Sequence, residues 1–315
     1  MQFTTKIPIK KSNFPIDYDS KIMLLGSCFA ENMGKKFEYF KFQATTNPFG
    51  IIFNSVSIEK LMRRCVENRK FTDDDIFFHN DLWHCFEVHS ELSNPNKEAF
   101  LNNLNSIAEM THQQIGTLSH CIITLGTSWV YRNIESNEIV ANCHKMPQKQ
   151  FIKELLSIHK IEESLQNIIS LIHSVNPNCK FIVTVSPVRH IKDGFVENTL
   201  SKAHLIAAIH NLKLETRNPQ YFPAYEIMMD ELRDYRFYAE DMLHPSQTAI
   251  DYIWMKFYEN YISESEFETM NEICSIQKGL QHRPFNPKTE SHEKFLSKII
   301  IQQQKLKEKH PFIRF

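Results

Sequence analysis

The sequence predicts an α/β protein, a three-layer α/β/α sandwich on a mostly parallel sheet with a C-terminal helical extension. Three observations predict it. Continuous apolar runs of strand length recur at residues 21–27, 121–127 and 180–186, as strands buried on both faces require. Each run is followed, directly or after a hairpin, by a segment with helical apolar spacing, and βαβα alternation implies a parallel sheet between helix layers. Past residue 264 the chain turns more polar and stays helical in pattern. The expected division is an α/β domain over 1–263 and a helical extension over 264–315 packed on it.

Taken in order, residues 1–15 either add an edge strand or wrap the surface. The first strand ends at Gly26, and Ala30, Met33, Gly34, Phe37 and Phe40 then share one helical face. A helix follows at 55–66, with Ile58, Leu61, Met62 and Cys65 on one side. Bulky residues alternate around Asp81 and predict strands or a hairpin within 71–92; a helix over 94–110 comes next. After the second strand, 129–140 reads as a hairpin turning near 135–137. The stretch 148–174 is amphipathic, carrying Ile161, Leu165, Ile168, Ile169 and Ile172 in register. Pro187 stops the third strand, a helix occupies 199–214, and 221–229 reads as a fourth strand. A helix opens at Pro245, since proline suits a first helical turn. In the tail, Phe295, Ile299 and Leu306 mark an amphipathic helix over 291–310.

Composition excludes several classes. The 315 residues carry 36 Lys+Arg against 37 Asp+Glu, a formal charge of −1, which gives no electrostatic footprint for nucleic acid. No apolar run approaches the ~20 residues of a membrane span, and the first 15 residues lack the apolar core of a signal peptide. A cytoplasmic location is therefore expected, with no nucleic-acid or membrane partner. Seven cysteines, none in a C-x-x-C pair, signal neither a disulfide framework nor a zinc ribbon. No phosphate-binding glycine loop follows a strand, so no nucleotide cofactor is indicated. His79, His84 and His89 recur every five residues, a spacing that assembles no metal site on a strand or a helix. The sequence leaves open whether the chain forms a homo-oligomer.

The chemistry is carried by two short segments. Ser27 follows Gly26 at the carboxyl end of the first strand, where open α/β sheets bind ligands. The next helix aims its N–H groups there. Late in the chain, Asp241 stands three residues before His244 in a loop entering a helix. Asp241 can accept from Nδ1–H of His244 and leave Nε2 to take a proton from Ser27. A serine hydroxyl needs such a base to attack a carbonyl. Cys28 follows Ser27 and offers a thiol nucleophile at a helix N-terminus, which lowers a thiol pKa. A small packing residue is the favoured reading, because the next residue along the turn points elsewhere.

These residues also carry a resemblance. Gly26-Ser27-Cys28-Phe29-Ala30 is the signature of the GSCFA family. The likeness continues through Asn47-Pro48-Phe49-Gly50, residues 125–129, 141–145, 185–190 and 230–246. That family resembles the SGNH (GDSL-type) hydrolases, which implies a flavodoxin-like fold and action on esters, acyl groups or acetylated sugars. The resemblance implies Ser27 as nucleophile and Asp241 and His244 as acid and base. It implies an oxyanion hole from the Ser27 N–H, Gly50 and a third donor. The superfamily's Gly-x-Asn is here Gly126-Thr127-Ser128, so Ser128 takes that role unless Asn142 or Asn47 does. Loss of one such donor typically costs about 10²–10³ in kcat.

Asn47, Asn142, His144, Arg189 and His190 are the candidate substrate contacts. Arg189 and His190 lie on the same strand rim as Ser27. Arg189 either grips a carboxylate or phosphate or pairs with Asp230, Glu231 or Asp234. The expected activity is serine hydrolysis or acyl transfer on an ester or O-acyl carbohydrate, without a cofactor or a metal. The rival is a ligand-binding module on the same fold. The serine mechanism requires Ser27 Oγ within about 3.2 Å of His244 Nε2; a His244 turned away favours the rival.

Overall fold

The computed structural model describes residues 5–212, 219–286 and 289–315. The chain opens with β1 (Lys21–Gly26), α1 (Cys28–Tyr39), β2 (Gln43–Thr46) and α2 (Ser55–Val66). A small hairpin, β3 (Phe77–His79) and β4 (Leu82–His84), precedes α3 (Lys97–Ile115) and β5 (His120–Leu125). Then come β6 (Trp129–Asn133), β7 (Ile139–Val140), β8 (Phe151–Leu155), α4 (Ile158–Val175) and β9 (Lys180–Val185). The last strand of the main sheet, β10 (Gln220–Phe222), follows α5 (Phe195–Asn211). A short α6 (Ala224–Glu226) widens into a π-turn before α7 (Gln247–Tyr261), α8 (Phe267–Gln281) and α9 (Glu290–Lys309).

The main sheet runs β10-β9-β5-β1-β2 with every neighbouring pair parallel. Counted within this sheet the order is 2-1-3-4-5, one of the doubly wound orders, and it reverses between β1 and β5. Successive side chains of a strand enter opposite layers. Met23, Leu25, Cys121, Ile123, Val183 and Val185 join one core with α2 to α5. Ile22, Leu24, Ile122 and Ile182 join the other with α1 and α7 to α9. Ile299 and Leu306 of α9 are buried in that second core beside Met270 and Ile273 of α8, so the C-terminal helices pack on the main body. No helix among the described residues is long and apolar enough to cross a membrane.

The structure departs from expectation in several places. The stretch from 148 is not one amphipathic helix: β8 pairs with β6, and α4 starts only after Ser157, whose side chain caps Lys160 N–H. The fourth strand stops at Phe222, because Pro223 cannot continue the ladder, and 224–229 is helical. The helix expected from Pro245 begins at Gln247, with Ser246 as its cap. The helix expected to 214 starts earlier, at Phe195, and its predicted end lies outside the described residues. Strand β2 was not expected. Residues 5–15 form no strand; Ile7 N–H reaches Glu231 and Ser12 N–H reaches the Asn260 carbonyl along the surface.

Gly26 makes the strand-to-helix turn sharp. Its φ is +130°, and a Cβ there would sit 2.0 Å from the Thr124 carbonyl oxygen. Backbone strain and overpacking then add, so Gly26→Ala is expected to lose about 2–4 kcal/mol of stability. A urea-unfolding midpoint matching the wild type would overturn this account of the turn.

Candidate functional site

The turn after β1 uses its first residue for structure and its second for exposure. Ser27 is the N-cap of α1, and its Oγ accepts from the Phe29 N–H at 3.3 Å. The residue is 0 % exposed, and among the described residues no hydrogen bond joins it to His244. The hydroxyl caps its own helix, and the hydrogen bond to His244 that the serine mechanism requires is not formed. Cys28, the first helical residue, instead lines a cavity of about 740 Å³, and His244 lines it too. Burial pushes the Cys28 thiol above its ordinary range, while the Lys202 ammonium and the N–H groups of Cys28 and Phe29 act in the opposite direction.

In the loop ahead of α7 the Asp241 carboxylate lies against His244. Asp241 Oδ1 accepts from the N–H groups of Leu243 (2.9 Å) and His244 (3.0 Å), and Met242 between them takes the left-handed conformation. The other oxygen, Oδ2, is 2.5 Å from Nδ1 of His244. An ionised carboxylate only accepts, so Nδ1 carries the proton and Nε2 has its lone pair. The His244 and Leu243 N–H groups, then the His244 ring, hold the Asp241 carboxyl down at about 2. It therefore stays ionised at neutral pH. The His244 side chain is 47 % exposed and stands at the cavity rather than packed away from it.

Beneath this rim lies a buried amine. Lys202 is 1 % exposed, and its Nζ donates to the carbonyls of Gly126 and Ser186, both at 2.7 Å. It thereby ties together the segments leaving β5 and β9. Burial pulls the amine down to about 7, with Cys28 opposing and Arg189 adding to the effect. His190 also lines the cavity. Burial, then Lys202, His244 and Lys192, lower it to about 3, so it is neutral near pH 7, with one ring N–H and one lone pair.

The remaining expected residues divide by location. Asn142, Arg189 and His190 line the cavity. Gly50 does not: its N–H donates to the Asn47 carbonyl at 2.7 Å, so it is no oxyanion donor. Ser128 is buried with its Oγ donating to the Ser201 carbonyl, which removes it from that role as well. Asn47 is structural, with Oδ1 accepting from Gly26 N–H and Nδ2 donating to Glu31. His144 is buried, and its Nε2 donates to the Cys85 carbonyl at 2.7 Å; desolvation lowers it to about 4. It braces two loops and does not reach the cavity.

Sequence reasoning missed Asn54 and Lys202. Asn54 caps α2 through Oδ1, which accepts from Ser57 N–H. It also lines the cavity, where its Nδ2 has no partner among the described residues. An Asn-x-x-Ser step at a helix start was the available signal. For Lys202 the signal was a polar run, Asn198, Ser201 and Lys202, on the same stripe of α5 as Leu205 and Ile209.

The chain matches the family model described as the GSCFA family over residues 21–257. It matches the GSCFA domain protein, C-terminal domain, over 273–315. No curated protein matches it. The first match contains β1, the Ser27–Cys28 turn, every residue lining the large cavity and the Asp241–His244 loop; the chain belongs to the GSCFA family.

Proposed function

We propose that the chain is a thiol-dependent acyl hydrolase or acyltransferase of SGNH-like build, with Cys28 as nucleophile. Its substrates are esters or O-acyl groups, acylated carbohydrates among them. The observation that carries the reading is that Cys28, first residue of α1, and His244, held through Nδ1 by Asp241, line one cavity. The strand order 2-1-3-4-5, which is the flavodoxin-like one, supports the SGNH likeness. The Cys28 thiol lies at the switch point, where such folds bind ligands.

Because burial keeps Cys28 protonated near neutral pH, attack needs a base. His244 Nε2 takes the thiol proton as the sulfur bonds to the acyl carbon. The carbonyl oxygen becomes an oxyanion facing the Cys28 N–H and the Asn54 Nδ2. Collapse breaks the bond to the leaving oxygen, which takes the proton back from His244, and a thioester remains. Water or an acceptor hydroxyl, deprotonated by the same imidazole, then releases the acyl group and restores the thiol. Asp241 fixes the tautomer throughout.

The test is acyl trapping. The purified chain is mixed with p-nitrophenyl acetate, quenched in acid and mapped by peptide mass spectrometry. A hydroxylamine-sensitive acetyl group is expected on Cys28, absent in Cys28→Ala and retained in Ser27→Ala. Cys143 also lines the cavity, so the adduct must be localised. An adduct on Ser27 would return the serine mechanism. No adduct on a folded chain would leave a ligand-binding module.

A further inference from the structure

The cavity's charges are not balanced. Arg189 lies in its wall and also borders a second cavity of about 240 Å³, with Tyr238 and Met242. The carboxylates that could neutralise it are engaged elsewhere. Asp230 pairs with Arg233 at 2.7 Å, Asp234 with Arg236 at 3.0 Å, and Glu231 with Lys256 at 3.1 Å. No ion pair of Arg189 is present among the described residues, and its Nε is buried without a hydrogen-bond partner. The Tyr238 hydroxyl, a neutral group, lies against it. Lys192 lines the same cavity and likewise has no ion pair among the described residues. The cavity's one lining carboxylate, Asp193, is held by Lys153 at 2.5 Å. Asp241 is held by His244.

A partly buried guanidinium without a counter-charge is costly unless a ligand supplies one. Its planar fork suits a carboxylate or a phosphate. The same lining has an apolar and aromatic portion, Phe53, Trp129, Val130 and Phe151.

We infer that the cavity takes an anionic substrate, whose carboxylate or phosphate sits on Arg189 with Lys192 behind it while its acyl carbon meets Cys28. This rests on the thiol reading above and narrows it: neutral acetyl esters are surrogates, and the preferred substrate carries an oxyanion on the acyl or leaving part and an apolar portion against Phe53 and Trp129.

Two alkylating reagents of nearly equal size separate the claims. Iodoacetate carries a carboxylate and iodoacetamide does not. The rate of Cys28 modification is measured with each by peptide mass spectrometry at pH 8, on the folded chain and on the urea-unfolded chain. The folded chain is expected to raise the iodoacetate-to-iodoacetamide ratio about tenfold over the unfolded reference, the scale of charge focusing in a cleft. Arg189→Met is expected to abolish that rise. Arg189→Lys retains part of it, and Lys192→Met, at a more exposed position, halves it or more without touching Arg189. Succinate and inorganic phosphate are then compared as protectants against iodoacetamide; the one effective at lower concentration identifies the oxyanion.

Rapid iodoacetamide labelling with an unraised ratio, or a ratio indifferent to Arg189→Met and Lys192→Met, overturns the anion site and leaves the thiol reading standing. Failure of both reagents on the folded chain, with labelling of the unfolded one, overturns the thiol reading and this inference with it.

Discussion

Replacing His244 by alanine is expected to lower kcat/KM for an activated ester by about 10²–10⁴ while changing stability little. The rate estimate is the usual worth of a positioned acid–base group. The stability estimate follows from exposure: the ring is about half in solvent, and substitutions at such positions usually stay within about 0.5 kcal/mol. Asp241→Asn refines the test. The asparagine Oδ1 can still accept from the Leu243 and His244 N–H groups, so the turn survives. The amide is neutral and no longer fixes the proton on Nδ1, and the resulting tautomer leaves Nε2 protonated and unable to take the thiol proton. Both variants should therefore fold, show wild-type unfolding midpoints and lose rate. Rates within a factor of three of wild type in both would mean the base is another group, and the dyad would be reduced to a loop clasp.

The parts of the molecule that were legible in the sequence share a physical cause. Strands β1, β5 and β9 are buried on both faces, so their apolar runs are continuous and leave little ambiguity. Strand β8 was hidden because it has exposed and half-buried residues, Ile152 and Lys153 among them, next to a strongly amphipathic helix. Strand β2, at the sheet edge, is a half-buried Gln-Ala-Thr-Thr with no apolar signature. At the site, Asp241 and His244 were readable because three residues suffice to place them against each other. The cavity-lining residue was not, because Ser27 and Cys28 differ by one position in a turn. Which of them faces the cavity depends on the exact residue at which α1 begins. Gly50 and Ser128 failed as donors for a different reason. The Gly50 N–H is taken up by the Asn47 carbonyl within one tight turn, and Ser128 bonds to Ser201, a distant pairing that leaves no local trace.

Lys202 should make the stability of the protein rise with pH across the range where most lysines are silent. Its amine is held near 7 when folded and has its ordinary value of 10.5 when the chain is unfolded. Below pH 7 both states bind the proton, and the folded state carries the full cost of a buried ammonium, of order 4–5 kcal/mol at ~1.4 kcal/mol per tenfold displacement. Between 7 and 10.5 the unfolded state binds more protons than the folded one, so stability increases with pH. Lys202→Met removes this dependence and leaves the Gly126 and Ser186 carbonyls without their donor, a loss of about 1–3 kcal/mol each. The wild type should thus gain about 3 kcal/mol on the variant between pH 6 and 9.5. Urea unfolding of both chains at the two pH values reads this, because titrating groups not coupled to Lys202 cancel in the difference. A constant difference would mean that the amine keeps its proton in the fold. The buried group beside Cys28 would then be a permanent cation, and the thiol would face a fixed positive field at every pH where it reacts.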